Sequence, residues 1–507
     1  MEPKEKPSVL HSALNMAAGT TTSRILGFIR DALMFALFPR SVTDAFVVAF
    51  RLPNLFRRVL GEGALSLSFV PVFVEARRRS VAEGEQVAAQ VFTVLVALTS
   101  VLSVVGFVYM DQIIGYWIGE SELTVWMARI MIFYLVLVTN YAFHTAVLNS
   151  LGEFFIPAMG PTLFNLGLIT FTISPFNLGP HAGSAQAWGV IFGGLLQAGI
   201  VYWWLVKLGH TPRLLFTRWG APVKKVFADM VPGIFALGFF QLISLVNTGL
   251  AAVLSEGSQS YLYAADRVLE LPQSLIAVSL GTALLPRFAE LSSDRHGFLN
   301  EASQAIKLLL FLTLPAAIGM WALAGGITEV LFMRGAFDQQ DAVATAGILE
   351  VYAVLLLFSG VSRVLLPAFY ATKNVWLPVG LGLLVLLGHL LVAPYMVEFH
   401  GLRGLAMATA FSTVLNLVLM QVFFHAKIGG LNYLGILKSA VYWLPGGLAL
   451  GLFCTQVYPQ LLDGGVPRIL SLGLVIVGGI VIYLGMALLL GSREAKQLSA
   501  RLNIFRK

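Results

Sequence analysis

The chain has 507 residues, of which 57% are hydrophobic and only 12% charged, and its formal net charge is +7. Soluble domains carry roughly 25% charged residues, so this composition excludes an ordinary soluble enzyme or binding module. Cys454 is the single cysteine, which excludes an intramolecular disulfide and a cysteine-based metal site. The first apolar stretch is too long for a cleavable signal peptide and is interrupted by charged residues.

Apolar runs follow one another along the chain with short polar connections. About 20 apolar residues cross a bilayer as a helix, so the sequence predicts an all-α, polytopic membrane protein of about fourteen transmembrane helices. The spans are expected near residues 13–38, 42–73, 87–118, 126–150, 157–177, 184–206, 225–252, 259–286, 304–326, 341–370, 376–397, 402–426, 433–457 and 468–491.

Lysine and arginine are concentrated in every second connection, which predicts the topology. The side that holds the N-terminus includes residues 77–79, 224–225 and 493–507, whereas the opposite side holds few cations. Basic loops stay in the cytoplasm, so both termini are expected there. This bias accounts for the basic charge without a nucleic-acid partner.

Sequence landmarks recur at a near-constant offset, which indicates an internal duplication. The Leu-Pro pair at 52–53 returns at 271–272, and Pro71 returns as Pro286. Six helices per half is an even number, so the repeat is expected to be parallel, with the substrate site between the halves. The predicted organisation is an N-terminal six-helix lobe (1–207), a second six-helix lobe (208–427), and two extra helices with a basic cytoplasmic tail (428–507).

The first predicted helix carries Arg24, Arg30 and Asp31 inside an apolar span. A charge at the bilayer centre costs about 2.5–3.5 kcal/mol by insertion scales, so these side chains should face protein or water. Snorkelling near the helix end, or a structural pair between Arg24 and Asp31, is the alternative interpretation.

The second predicted helix is also rich in polar residues. Asn54, Arg57 and Arg58 share one face, and Arg58 has a possible partner at i+4 in Glu62. This helix also carries Asp44 and Arg51. A proline removes a backbone hydrogen bond and glycine loosens a helix, so a hinge is predicted from Pro53, Gly61 and Gly63.

The eighth predicted helix carries Asp266, Arg267 and Glu270 directly before a proline. Asp266 and Glu270 form a like-charge i, i+4 pair that requires nearby cations, and the arginines of the first two helices are the candidates. Arginine donates two parallel hydrogen bonds to phosphate and stays charged, so an arginine-lined cavity indicates an anionic ligand such as a diphosphate.

No phosphate-binding glycine loop, nucleophile–base pair or metal-binding motif is visible, so the sequence predicts a transporter without catalytic chemistry, cofactor or metal. Three isolated histidines in apolar spans are interpreted as structural: His144, His389 and His425.

Several sequence blocks resemble the MurJ/MviN family. Residues 23–31 (SRILGFIRD) resemble its SRxLGFxRD signature, and residues 50–58 (FRLPNLFRR) resemble its next block. The likeness continues through Ala265-Asp266-Arg267, residues 281–286 (GTALLP) and residues 332–337 (FMRGAF). Blocks in this order over most of the chain are a specific signal.

The resemblance implies a lipid II flippase of the multidrug/oligosaccharidyl-lipid/polysaccharide superfamily in the bacterial cytoplasmic (inner) membrane. Such proteins move an undecaprenyl-diphosphate-linked disaccharide-pentapeptide to the outer leaflet by alternating access, for peptidoglycan synthesis. Implied partners are lipid II and membrane lipids, with a functional link to the cell-wall synthesis and division machinery. The last two helices are implied to form a groove for the lipid tail.

Residue roles follow from the resemblance together with the cost of burying charge. The predicted substrate-binding residues are Arg24, Arg30, Arg57 and Arg267. The predicted cavity and gating residues are Asp31, Asp44, Arg51, Asn54, Arg58, Glu62, Asp266 and Glu270. Three alternatives stay open at this point: a flippase for another polyprenyl-diphosphate glycan of the O-antigen type, a cation-coupled drug exporter of the same superfamily, and a membrane scaffold without transport.

Overall fold

A computed structural model describes residues 9–59, 65–174, 179, 182–210 and 213–504 of the chain. All regular secondary structure in these residues is helical, which confirms the all-α class. Where the structure describes the fourteen predicted spans, helices occupy most of each, with short breaks such as those at residues 132–133 and 173–174.

Ten helices precede Ser258. They are α1 (Val9–Leu37), α2 (Arg40–Phe56), α3 (Leu65–Arg79), α4 (Val81–Val108), α5 (Met110–Ile118), α6 (Glu122–Met131), α7 (Tyr134–Ser150), α8 (Phe155–Thr172), α9 (Ala185–Lys207) and α10 (Ala221–Ala252).

Nine further helices follow, together with a π-helical segment, Gln273–Val278, after α11. They are α11 (Ser258–Pro272), α12 (Ser279–Glu290), α13 (Arg295–Ala322), α14 (Ala324–Phe332), α15 (Gln339–Ala371), α16 (Trp376–Lys427), α17 (Tyr433–Asp463), α18 (Arg468–Leu489) and α19 (Arg493–Ile504).

The helices differ in how readily they would cross a membrane. Within the described residues, nine spans are long and apolar enough, and α10 makes a tenth if its two parts, bent by 43°, are counted together. Helices α1, α2 and α11 are not among them. Helices α2 and α11 have 17 and 15 residues, fewer than the about 20 that cross a bilayer, and α1 carries three charged residues, Arg24, Arg30 and Asp31.

Helix α16 is two predicted spans in one continuous run. Its 52 residues exceed twice the length that a bilayer requires. The run bends at Gly401, whose φ of 55° and ψ of −132° lie in a region that glycine adopts readily and other residues rarely. The predicted break between residues 397 and 402 is therefore confirmed.

The chain forms two compact units, Met1–Ser260 and Tyr261–Lys507. In the first unit, α8 and α9 approach closely at glycines: a Cβ on Gly167 would lie 2.6 Å from Cα of Gly193. Small residues allow such backbone contact between membrane helices. An aromatic core that includes Phe69, Phe92 and Phe143 joins α3, α4 and α7.

The second unit has two apolar cores. One joins α12, α13, α15 and α16, and the other joins α13 to α17 and α18. Tyr483 of α18 donates to the carbonyl of Phe311 at 2.7 Å, which satisfies a polar group that is otherwise buried in the second core. The predicted boundaries at residues 207 and 427 and the parallel repeat stay predictions. In both units, however, the Leu-Pro landmark is followed within four residues by a π-helical turn, at 57–59 and 273–278.

Candidate functional site: charged side chains within the helices

Arg30 and Asp31 of α1 form a buried ion pair. Arg30 donates from Nε and Nη2 to Oδ1 of Asp31 at 2.9 and 2.6 Å, and the two side chains are 7% and 1% exposed. Its Nη1 donates to Oδ1 of Asn165 on α8 at 2.9 Å. Asn165 in turn donates to the carbonyl of Ser23 at 2.9 Å. The guanidinium therefore ties α1 to α8 through charge-assisted hydrogen bonds.

Arg24 lies on the same helix but is exposed. The sequence left open a structural pair between Arg24 and Asp31. The structure places Arg30 against that carboxylate, and the pair between Arg24 and Asp31 stays a prediction. Arg24 and Arg30 therefore occupy different environments in one helix.

The polar residues of α2 have neighbours in the first unit. Arg51 donates to Oγ1 of Thr248 on α10 at 3.2 Å, and Arg57 donates to Oδ1 of Asn54 at 2.9 Å. Asn54 and Pro53 are buried, whereas Arg51, Arg57 and Arg58 are half-buried. The helix continues through Pro53 to Phe56 and becomes π-helical at 57–59. The predicted residues Gly61, Glu62 and Gly63 lie outside the described residues.

Asp44 accepts hydrogen bonds from residues at the start of α11 rather than from an arginine. Its Oδ2 accepts from N–H of Gly257 at 2.7 Å, and its Oδ1 accepts from N–H and Oγ of Ser260 at 2.8 and 2.6 Å. The neighbouring Thr43 hydroxyl lies 2.7 Å from that of Ser260. A carboxylate at the first turn of α11 compensates the unpaired N–H groups there. Asp44 thus fixes where α11 begins.

In the second unit, Arg267 of α11 pairs with a carboxylate of its own helix. Its Nη1 donates to Oε2 of Glu270 at 2.7 Å, with side chains 23% and 39% exposed. The guanidinium carbon lies 4.5 Å from the ring centroid of Tyr263, a cation–π contact. The sequence had assigned the arginines of the first two helices as cations for Glu270. The structure supplies one from the same helix, because positions i and i+3 share a helical face.

Sequence reasoning missed the partners that complete these contacts. Asn165, Thr248 and Ser260 have no motif of their own, and the available signal is a polar residue within an apolar span. The structure brings Arg30, Asp31 and Asn165 together, and separately Arg267 with Glu270. In the ranges that the structure describes, no group of three or more His, Cys, Asp or Glu side chains is placed to hold a metal ion.

The fold and the charged contacts together define a class of protein. It is a polytopic α-helical membrane protein whose helices hold arginines paired with carboxylates and amides. This arrangement is typical of membrane transporters, because intramembrane charge is costly and is retained for function.

The chain belongs to the family whose sequence model is described as "Lipid II flippase MurJ", which matches residues 34–459. A "Probable lipid II flippase MurJ" from Bdellovibrio bacteriovorus is 38% identical over 509 aligned residues, covering 98% of this chain and 97% of the relative. A "Lipid II flippase MurJ" from Burkholderia cenocepacia is 31% identical over 86% of each chain.

Solved structures support the same fold. A structure titled "Lipid II flippase MurJ, inward closed conformation" superposes with a TM-score of 0.78 at 24% identity, over 93% of this chain and 97% of the other. An inward-facing MATE transporter of the MOP superfamily superposes with a TM-score of 0.70 at 13% identity, over 80% and 94%. These likenesses concern the fold alone.

Proposed function

We propose that this chain moves lipid II, the undecaprenyl-diphosphate-linked peptidoglycan precursor, from the inner to the outer leaflet of the bacterial cytoplasmic membrane. Two facts support the proposal: the family model covers residues 34–459, and relatives named as lipid II flippases align over nearly the whole chain. The observation that carries it structurally is Arg30, a guanidinium held inside apolar helices. The comparisons do not favour an O-antigen flippase or a drug exporter.

Arg24, Arg30, Arg57 and Arg267 are proposed to bind the diphosphate. A planar guanidinium matches two phosphate oxygens at once. The contacts described above give Arg30, Arg57 and Arg267 polar partners when no substrate is bound. Diphosphate would replace Glu270 on Arg267, and Asn54 on Arg57, with one strong anionic partner.

The remaining polar residues are proposed to position the arginines. Asp31, Arg51, Arg58, Glu62 and Asp266 would balance charge as the substrate enters and leaves. Asp44 would hold the start of α11. The hinge is proposed to lie at Pro53 and the π-helical turn that follows it, with Gly61 and Gly63 beyond. A π-helical turn relaxes the regular hydrogen-bond ladder, which is a common feature of functional sites.

Alternating access without catalytic chemistry is the proposed mechanism, with both termini in the cytoplasm. A membrane potential acts on a net cavity charge at about 2.3 kcal/mol per charge per 100 mV, so it can reset the empty carrier. A functional link to cell-wall synthesis and division proteins follows from the proposed substrate, which those proteins consume.

Depletion and rescue test the proposal. Bacteria depleted of their own lipid II flippase should accumulate lipid II in the inner leaflet, and this gene should restore growth and the outer-leaflet pool. Arg24→Ala should abolish rescue at unchanged membrane levels. Arg79→Ala is the matched control, since Arg79 is exposed and paired with Glu75 and Glu83 on the surface.

The two parts of the proposal fail differently. If the native chain leaves lipid II in the inner leaflet, the function is wrong. If Arg24→Ala rescues growth like the control, the function stands and the assignment of the arginines is wrong.

A further inference from the structure

An ion pair on the surface of the second unit lies at one end of a groove that the transport site does not use. Arg403 of α16 donates from Nη2 to Oε2 of Glu350 on α15 at 3.1 Å, and the two side chains are 57% and 42% exposed. The groove has a volume of about 430 Å³. Arg267, the substrate-binding arginine proposed in this unit, does not line it. The two charges are therefore open to a ligand other than the transported lipid.

The groove runs between α15 and α16. On each helix the lining residues are three, four or seven positions apart, a spacing that places them on one helical face. They include Gly347, Glu350 and Val354 of α15, and Arg403, Met407 and Ala410 of α16. Seven residues of a helix rise about 10 Å, so the groove extends about 10 Å from a charged end at Arg403 to an apolar end at Ala410.

Gly347 makes room for the guanidinium of Arg403. A Cβ at position 347 would lie 2.8 Å from Nη2 and 3.0 Å from Cζ of Arg403, so a larger residue would push the guanidinium away from α15. The close approach to Gly347 and the pair with Glu350 position the cation before a ligand arrives. A charge that is already in position avoids the cost of ordering a long side chain on binding.

The apolar part of the groove is open to the surroundings. Trp321 near the end of α13, Val354 and Met407 line it and are exposed. Helices α13, α15 and α16 are each long and apolar enough to cross a membrane, so exposed apolar side chains on them indicate contact with lipid. Tryptophan near the end of such a helix is typical of the membrane interface. Arg403 follows the bend at Gly401 by two residues, so the groove runs from the interface towards the bilayer interior.

The charges and the apolar wall together define the chemistry of a ligand. A guanidinium matches a phosphate group, but the neighbouring carboxylate disfavours a headgroup that carries negative charge alone. A primary ammonium group has three N–H donors for a carboxylate, whereas a choline group has none. We propose that this groove binds phosphatidylethanolamine, with its phosphate on Arg403, its ammonium group on Glu350, and an acyl chain along Val354 and Met407.

Native mass spectrometry of the full chain in detergent tests the proposal. The probes are phosphatidylethanolamine, phosphatidylcholine and phosphatidylglycerol with identical acyl chains. Phosphatidylethanolamine should bind about fivefold more tightly than either of the others, because it alone satisfies both members of a partly exposed ion pair. Equal binding of the three lipids, or a preference for phosphatidylglycerol, would overturn the proposal.

Two variants locate the site and one serves as a control. Glu350→Gln should remove the preference for phosphatidylethanolamine. Glu329→Gln should leave that preference intact, since Glu329 lies 3.6 Å from Arg468 in another ion pair of the same unit. Ala410→Trp should fill the apolar end and weaken binding while leaving the ion pair in place, so it decides the matter if Glu350→Gln does not fold. A retained preference in Glu350→Gln, or undiminished binding in Ala410→Trp, would contradict the assignment.

Discussion

The first and second units each hold a paired arginine within a helix, but the two arginines have different partners. Arg30 is 7% exposed and reaches both its neighbour Asp31 and an amide on another helix, Asn165. Arg267 is 23% exposed and contacts Glu270 and Tyr263 of its own helix. Arg30 therefore joins two helices at a buried position, whereas the pair of Arg267 and Glu270 is partly exposed to an incoming anion. Stability and transport should therefore respond differently at the two places.

The largest loss of stability is expected when Asp31 is replaced. Asp31→Ala removes the carboxylate that accepts two hydrogen bonds from Arg30, and breaking a buried pair in this way costs about 3–5 kcal/mol. Thermal unfolding of purified protein in detergent should show a marked loss of Tm. Asp31→Asn keeps an acceptor oxygen and should lose less. A loss below about 1 kcal/mol for Asp31→Ala would show that the pair does not hold the helix.

The second largest loss of stability is expected when Asn165 is replaced. Asn165→Leu removes one acceptor from Arg30 and the donor to Ser23, and a hydrogen bond to a charged group is worth about 1.5–3 kcal/mol. The same unfolding measurement applies. Thr170→Val, an exposed position on the same helix, is the control and should change little. If the two variants unfold alike, the contact between α1 and α8 does not depend on this amide.

Replacing Arg267 should reduce transport and leave the stability of the protein nearly unchanged. Arg267→Lys keeps the charge but loses the planar fork, so lipid II transport should fall sharply in the depletion strain. Unfolding should change by no more than about 1 kcal/mol, because the pair with Glu270 is partly exposed. Glu270→Gln should also change the free energy of unfolding only slightly. A large loss of Tm in either variant would show that Arg267 stabilises the fold as much as Arg30 does.

The smallest effect is expected at the surface. Arg79 pairs with Glu75 at 2.6 Å and Glu83 at 3.3 Å, with more than half of its side chain exposed. Exposed pairs contribute about 0–1 kcal/mol, so Arg79→Ala should unfold and support growth like the native chain. Defective growth at normal membrane levels would give this surface a role that the proposed mechanism does not contain.

Much of the fold could be predicted from local patterns. Span lengths follow from runs of apolar residues, and the break within α16 follows from polar residues and Gly401 between two such runs. The π-helical turns after Pro53 and Pro272 could not be located so well. Proline predicts a disturbed hydrogen-bond ladder, but packing decides whether the helix kinks, ends or widens.

The sequence was sufficient to predict the arginines of the site, but not the residues that they contact. Inserting an arginine into a bilayer is costly for any sequence, so Arg30, Arg57 and Arg267 are conspicuous in the chain itself. The amide that meets Arg30 lies 135 residues away, and Asp44 meets backbone N–H groups more than 200 residues away. No local pattern encodes such distances.

The sequence by itself determined that this chain is a polytopic helical membrane protein of the MurJ family with arginines inside its helices, because hydropathy and motif blocks are properties of neighbouring residues. The tertiary structure decided that Arg30 meets an amide on another helix and that Asp44 accepts hydrogen bonds at the start of α11. These depend on which helix faces which, and that choice is made by packing across the whole unit.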